Sequence, residues 1–70
     1  MLKFKYFDPK THVAYEERPD GTYCSFSVHF KNGDISVALI SDNATLPDLN
    51  ELVEINGTVH ECLKYFQLVN

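Results

Sequence analysis

Tryptophan is absent from this 70-residue sequence, and glycine and proline each occur only three times. Disordered and linker segments are rich in glycine, proline and polar residues, and no low-complexity tract, internal repeat or linker interrupts this chain. Apolar residues make up 44% of the sequence, and five phenylalanines and four tyrosines supply the bulk of a core. We therefore expect one small domain over residues 1–70, which buries only about 60% of the surface of its unfolded chain.

Positive charge is also scarce, because ten Asp and Glu residues outnumber six Lys and Arg residues and give a net charge of −4. Nucleic acids and anionic membranes attract basic surfaces, so this balance disfavours both as partners. The three lysines near the start of the chain do not make a basic patch, since Glu16, Glu17 and Asp20 follow them closely.

Long apolar runs are missing as well. No segment approaches the roughly 20 apolar residues that span a bilayer. The first residues, MLKFKYFDP, alternate charge with aromatics and lack the apolar run of a signal peptide. We expect a cytoplasmic protein with no membrane contact. In a reducing compartment its two cysteines, Cys24 and Cys62, are expected to be free thiols rather than a disulfide.

Motifs for catalysis and cofactor binding are absent too. The sequence has no phosphate loop or dinucleotide fingerprint, and its cysteines and histidines lack the paired Cys-x-x-Cys spacing of a zinc site. His29 is the strongest candidate for a general base, with Ser27 and Ser36 predicted beside it, but no acid is placed to orient its ring. We therefore predict a protein that is not an enzyme and that holds no cofactor or metal.

A β-hairpin over residues 22–40 is the clearest feature that the sequence contains. From Thr22 onward, apolar and polar side chains alternate as in a half-buried strand. Asn32-Gly33 favours a type I′ turn, in which both residues take positive φ angles. Counting from this turn places every large apolar residue on one face. The predicted pairs are Lys31 with Asp34, Phe30 with Ile35, Val28 with Val37, and Phe26 with Leu39.

A turn at residues 18–21 adds a strand before this hairpin. A four-residue loop would set Val13 opposite Phe26 on the inner face. A three-residue loop with a bulge would turn Glu16 and Ala14 inward instead. Burial of apolar side chains favours the four-residue loop.

A similar turn at residues 8–11 adds the first strand and would set Tyr6 against Val13. The predicted meander then has four strands, at residues 2–7, 12–17, 22–31 and 34–40.

The chain after Ser41 fits two structures. As helices, Thr45 would cap a first helix that Gly57 ends, and Thr58 would open a second. As strands, residues 51–55 and 58–66 would form a hairpin on Asn56-Gly57, although its register sorts apolar from polar side chains poorly. The short connections and the Thr, Val, Tyr and Phe content of residues 58–69 favour strands.

We therefore predict a mainly β fold, an antiparallel four-stranded meander with a C-terminal hairpin that closes a small barrel-like sheet. The alternative is an α+β fold, with the same four-stranded antiparallel sheet and one or more C-terminal helices.

The outer face of the predicted meander offers a binding surface. Its middle is uncharged and carries small side chains, with aromatic and apolar residues around it, a pattern typical of interfaces. Either the chain's own C-terminal segment or a partner would cover this face. The candidate binding residues are Phe7, Ala14, Tyr23, Ser25, Ser27, His29, Ala38 and Ile40.

We expect a non-enzymatic protein-binding module, such as a small accessory or inhibitory protein, of a size found among viral and prophage proteins. Its partner would be another protein or a second copy of itself. One alternative is a nucleic-acid-binding small β-barrel whose aromatics stack on bases, which the few basic residues disfavour. The other is an acidic nucleic-acid mimic that blocks a DNA-binding protein, which the mild acidic excess supports weakly.

Overall fold

A five-stranded antiparallel sheet forms the body of the protein, with one helix packed on one face. The structure is a computed structural model that describes residues 2–66. The strands are β1 (Phe4–Asp8), β2 (Val13–Glu17), β3 (Tyr23–Lys31), β4 (Asp34–Ala44) and β5 (Val53–Gly57). A short 3-10 helix (Leu49–Glu51) precedes β5, and the helix α1 (Val59–Phe66) follows it. The strand order across the sheet is β4-β3-β2-β1-β5.

The prediction of a mainly β, antiparallel fold built on a four-stranded meander is confirmed. The predicted closing hairpin is wrong, because β5 pairs with β1 and the chain after it is helical, which leaves the sheet open between β4 and β5. The alternative with a C-terminal helix fits the structure. Residues 67–69, which counted towards the strand prediction, lie outside the described residues.

Gly57 leaves room for the first turn of α1, which follows β5 directly. A Cβ atom at this position would lie 2.6 Å from Cγ of Glu61, so a larger residue would collide with the first turn of α1. The N–H of Glu61 donates to the carbonyl of Thr58 at 3.0 Å and closes that turn. The sequence Asn56-Gly57 therefore makes a strand-to-helix junction here, whereas Asn32-Gly33 makes a hairpin.

The β3–β4 hairpin has the predicted register. Asn32 and Gly33 have φ angles of 55° and 84°, as a type I′ turn requires. All four predicted pairs are present, from Lys31 opposite Asp34 to Phe26 opposite Leu39. Beyond Leu39 the strand continues to Ala44, four residues past its predicted end, with register shifts on both sides of Ser41.

The predicted register between β2 and β3 is wrong by one residue. Ala14, not Val13, lies opposite Phe26. The N–H of Arg18 donates to the carbonyl of Thr22 at 2.8 Å, and the N–H of Gly21 donates back to the Arg18 carbonyl at 2.9 Å. Gly21 has a φ of 86°, which a β-carbon would strain. The three-residue loop is therefore the one that forms, and the four-residue loop predicted from burial is wrong.

The β1–β2 turn is also displaced, but by an even number of residues. Tyr6 lies opposite Tyr15 rather than Val13. The carboxylate of Asp8 accepts hydrogen bonds from the N–H groups of Lys10 and Thr11, which fixes the turn after β1. An even shift leaves the side chains of β1 on the predicted face relative to those of β2. The odd shift between β2 and β3 moves the side chains of β2 to the opposite face relative to those of β3. From Tyr6 to Glu17, the side chains of β1 and β2 therefore lie on the opposite face from the predicted one, while β3 and β4 keep their predicted faces.

The core lies between α1 and the face of the sheet that we call the inner face. Its fully buried members are Phe4, Phe7, Ala14, Val28 and Cys62, and Phe26, Ile35 and Val37 pack against them. A register shift between Phe4 and Tyr6 accompanies the arrival of both Phe4 and Phe7 in this core. Burial of so many apolar side chains on one face supplies the main driving force for folding.

Both cysteine thiols are free and buried in the structure. Among the residues described, no helix combines the length and the apolar character needed to cross a bilayer.

Candidate functional site

Six of the eight predicted binding residues lie away from the core. Tyr23, Ser25, Ser27 and His29 alternate with the inward-facing residues of β3, and Ala38 lies opposite Ser27 on β4. We call the face that they share the outer face. Ile40 lies in the register shift between Leu39 and Ser41 and is 57% exposed. The binding role of these six residues stays a prediction.

The predicted outer-face positions of Phe7 and Ala14 are wrong. Both side chains are completely buried on the inner face, in the core under α1. The cause is the one-residue register difference between β2 and β3, since Ala14 lies beside Phe26 and Phe7 lies beside Ala14. In exchange, Tyr6 and Tyr15 join the outer face, where Tyr15 lies opposite Ser25.

The middle of the outer face is uncharged and buried. Tyr15 and Ser25 are only 8% and 6% exposed, although α1 packs on the other face. Burial, together with the negative charge of Asp8, raises the pKa of Tyr15. This part of the face has few groups with which a partner could form new contacts.

One end of the outer face carries a polar cluster. The Lys5 ammonium lies 3.3 Å from Oε1 of Glu17 and 5.6 Å from the ring centre of Tyr6. The Tyr23 hydroxyl donates to Oε2 of Glu17 at 3.2 Å. The hydrogen bond and charge of Glu17 raise the pKa of Lys5, while desolvation and the same carboxylate raise the pKa of Tyr23. The cluster is solvent-exposed, so its ion pair adds little stability.

The Cys62 thiol and the His29 ring do not have the environment of a nucleophile or a general base. Burial raises the pKa of the Cys62 thiol to about 11, whereas reactive thiols have lowered pKa values. His29 is exposed and lies opposite Ser36, with no hydrogen bond to its ring among residues 2–66. His12 is stacked 4.3 Å from Phe66, and its buried Nε2 has no hydrogen-bond partner in that same part of the chain. Nor do residues 2–66 gather three His, Cys, Asp or Glu side chains into a metal-binding group.

A second surface lies at the edge of β4. Within residues 2–66 no strand pairs with the side of β4 that faces away from β3. The N–H of Val28 donates to the carbonyl of His12 at 2.9 Å, so it points away from β4. Opposed residues of an antiparallel pair either both direct their main-chain groups at each other or both direct them away. Val37 lies opposite Val28, and its N–H and C=O therefore point to the free side.

The same alternation applies two residues to either side of Val37. Ile35 and Leu39 also direct their N–H and C=O groups outward, while their side chains lie on the inner face with that of Val37. We call these three residues the β4 edge. Ile35 and Val37 are half-buried, and Leu39 is 58% exposed.

The β4 edge lacks the usual protection against strand pairing. Native edge strands are blunted by lysine, proline, an inward-pointing charge, a β-bulge or a very short length. The register shifts of β4 lie beyond Leu39, so the segment from Ile35 to Leu39 pairs regularly with β3. β4 is the longest strand described, and it has neither proline nor a charged side chain between Asp34 and Asp42. The opposite edge of the sheet differs, since β5 has five residues, carries Glu54 and pairs with β1 through an irregular register.

An apolar groove adjoins the β4 edge on the inner face. It has a volume of about 210 Å³ and is lined by Leu2, Phe4, Val37, Thr58, Val59 and His60. Val37 belongs to both the groove and the edge, and Leu2 is 38% exposed beside it. Exposed apolar side chains and unpaired main-chain groups thus occur together, as strand-binding sites require.

Sequence reasoning placed Ile35, Val37 and Leu39 on the inner face but missed the edge. The predicted closing hairpin would have continued the sheet into a barrel, and a barrel has no edges. Because β5 pairs with β1 instead, the last strand of the meander stays open. Local sequence patterns do not indicate which strand β5 pairs with, so they do not reveal this edge.

Neither a scan of protein-family models nor searches of curated proteins and of solved structures find a match to this chain. Its function is therefore inferred from the geometry of the two surfaces.

Proposed function

We propose that this chain is a non-enzymatic protein-binding module that adds an extended polypeptide segment to its β4 edge. The single observation that supports the proposal is the open, uncharged and unprotected edge of the longest strand. In strand addition, main-chain hydrogen bonds supply affinity, and pockets for alternate side chains supply specificity. Both elements are present, because the outward groups of Val37 adjoin the apolar groove.

The chemistry of the edge defines the segment that it accepts. A strand paired with Ile35, Val37 and Leu39 would have alternate side chains on the inner face, beside the exposed Leu39 and the groove. These side chains should be apolar, because neither the edge nor the groove lining carries an acidic or lysine side chain. A module of this kind acts by occupying a segment of its partner, as an accessory or inhibitory protein does.

The experiment selects a random peptide library on the immobilised protein and on its Val37→Pro variant. Proline removes the outward N–H of Val37 and is tolerated in edge strands when that N–H faces solvent. Val37→Ala, which keeps the N–H, is the matched control. We expect enriched peptides with alternating apolar residues that bind the wild type and Val37→Ala but not Val37→Pro. A library that yields no binder, or binders that retain full affinity for Val37→Pro, would refute the proposal.

A nucleic-acid interface is supported less well. Tyr6 and Tyr23 lie with their ring centres 6.3 Å apart on the outer face, and Lys5 lies next to them. Stacking sites combine such aromatics with a basic groove, but here Glu17 neutralises Lys5. We expect no salt-sensitive shift of single-stranded DNA or RNA in a gel.

A further inference from the structure

We propose that the segment bound at the β4 edge is the β4 edge of a second copy of this chain. This inference rests on the proposed function and names its partner. Two β4 strands would pair antiparallel about a two-fold axis through Val37 and join two five-stranded sheets into one. Two-fold dimers are the commonest protein oligomers, and their interface must be complementary to itself. The β4 edge meets this condition in three respects.

The first respect is the direction of the main-chain groups. An axis through Val37 sets Val37 against the second copy's Val37, and Ile35 against the second copy's Leu39. All of these residues direct N–H and C=O groups to the free side of β4. Each opposed pair can therefore exchange two hydrogen bonds, as in any antiparallel ladder.

The second respect is the match of side chains. On the inner face, Ile35, Val37 and Leu39 of one copy would continue the same apolar row of the other, which would shield the exposed Leu39. On the outer face, the small Ser36 and Ala38 would lie opposite one another. Cross-strand pairs of this kind stabilise a sheet when neither partner is a like charge.

The third respect is charge, which also selects the register. With the axis at Val37, Asp34 would lie opposite the second copy's uncharged Ile40. Moving the axis one residue towards Ala38 would set Asp34 against Asp42 in two symmetric places and would repel. Moving it towards Ser36 would leave Leu39 opposite the turn residue Gly33. Pairing about Val37 is therefore the register that satisfies both the hydrogen bonds and the charges.

The edge contact is small, so the dimer should be reversible rather than permanent. Each copy carries a net charge of −4, which opposes association over distances longer than the contact itself. Added salt screens that repulsion, while the uncharged interface is left unchanged. The dimer should thus strengthen as the salt concentration rises, the opposite of an interface held by ion pairs.

The test measures the molar mass by sedimentation velocity over a range of protein concentrations, for the wild type and three variants. We expect a monomer–dimer equilibrium for the wild type and at least about tenfold weaker dimerisation for Val37→Pro, which cannot form the central hydrogen bonds. Leu39→Lys should weaken the dimer similarly without disturbing the fold, because Leu39 is exposed. The outer-face variant Tyr23→Gln, which leaves the net charge unchanged, should dimerise like the wild type.

A disulfide experiment checks the register. Ile35→Cys and Leu39→Cys proteins, mixed under mild oxidation, should give the mixed dimer in preference to either homodimer, since these positions oppose one another only across the axis. A wild type that is monomeric at every concentration, or a dimer that Val37→Pro does not weaken, would overturn the inference. If the wild type is monomeric but selected peptides still discriminate against Val37→Pro, the second copy is the wrong partner and the proposed function stands. If no peptide binds either, both fail.

Discussion

Replacing Phe7 by Ala should destabilise the fold severely, although alternation in the sequence placed Phe7 on the outer face. The side chain is completely buried in the core and stacks 5.6 Å from Phe66. Removing a buried phenyl ring costs about 3–5 kcal/mol through lost transfer energy and a residual cavity. A chain of this length has about 4–10 kcal/mol of stability, so the variant should lose roughly half of it or unfold.

Urea denaturation followed by circular dichroism measures this effect, with Tyr6→Ala as the matched control. Tyr6 is the neighbouring residue on the same strand, but it lies half-buried on the outer face and should cost only about 1–2 kcal/mol. If Phe7→Ala does not fold, Phe7→Leu keeps most of the volume and should cost about 1–2 kcal/mol. A Tyr6→Ala variant less stable than Phe7→Ala would refute the register between β2 and β3, because the two side chains would then have exchanged faces.

Three further measurements address the turns and the core. Gly57→Ala should lower the stability by about 1 kcal/mol, since Glu61 must leave its rotamer, and the loss should vanish in a Glu61→Ala background. His12 has a φ of 60°, so His12→Gly should be more stable than His12→Ala by about 1 kcal/mol, with both below the wild type because the stacking on Phe66 is lost. The Cys62 pKa is about 11 in the folded protein and 9.0 ordinarily, so the unfolded chain loses its thiol proton first. The free energy of unfolding should therefore be level below pH 9 and fall by up to about 2–3 kcal/mol as the pH rises towards 11. A Cys62→Ala variant should show a smaller fall, and an equal fall would exclude this thiol as the cause.

The sequence predicts the β3–β4 pairing from Lys31 and Asp34 to Phe26 and Leu39 because one local signal sets its register. Asn32 and Gly33 accept positive φ angles, and the alternation on both sides of them agrees with the same pairing. Where two turn lengths were chemically acceptable, as at residues 18–21, local patterns did not decide. Burial of apolar side chains favours the four-residue loop, but with the three-residue loop Tyr15 is buried on the outer face, so that criterion does not discriminate.

The candidate site was harder to predict than the fold because it depends on contacts between distant segments. The loop at residues 18–21 is one residue shorter than predicted. This difference places Ala14 and Phe7 in the core rather than on the predicted binding surface. The pairing of β5 with β1 leaves the β4 edge open, and it joins the first and the last strands of residues 2–66. A binding surface defined by a missing neighbour follows from topology, which composition and periodicity do not specify.

An open edge would be a hazard if it allowed unlimited association, and the arrangement of this sheet limits the contact to one partner. Pairing of β4 with a second β4 consumes both long edges, so the remaining edges of the dimer are its two β5 strands. β5 is short, bears Glu54 and follows an irregular register against β1, features that oppose strand addition. The register shifts around Ser41 and the charge of Asp42 end the regular part of β4 on one side, and the Asn32-Gly33 turn ends it on the other. An assembly built on this edge should therefore close as a dimer rather than grow into a fibre, because an isologous contact uses up the surface that creates it.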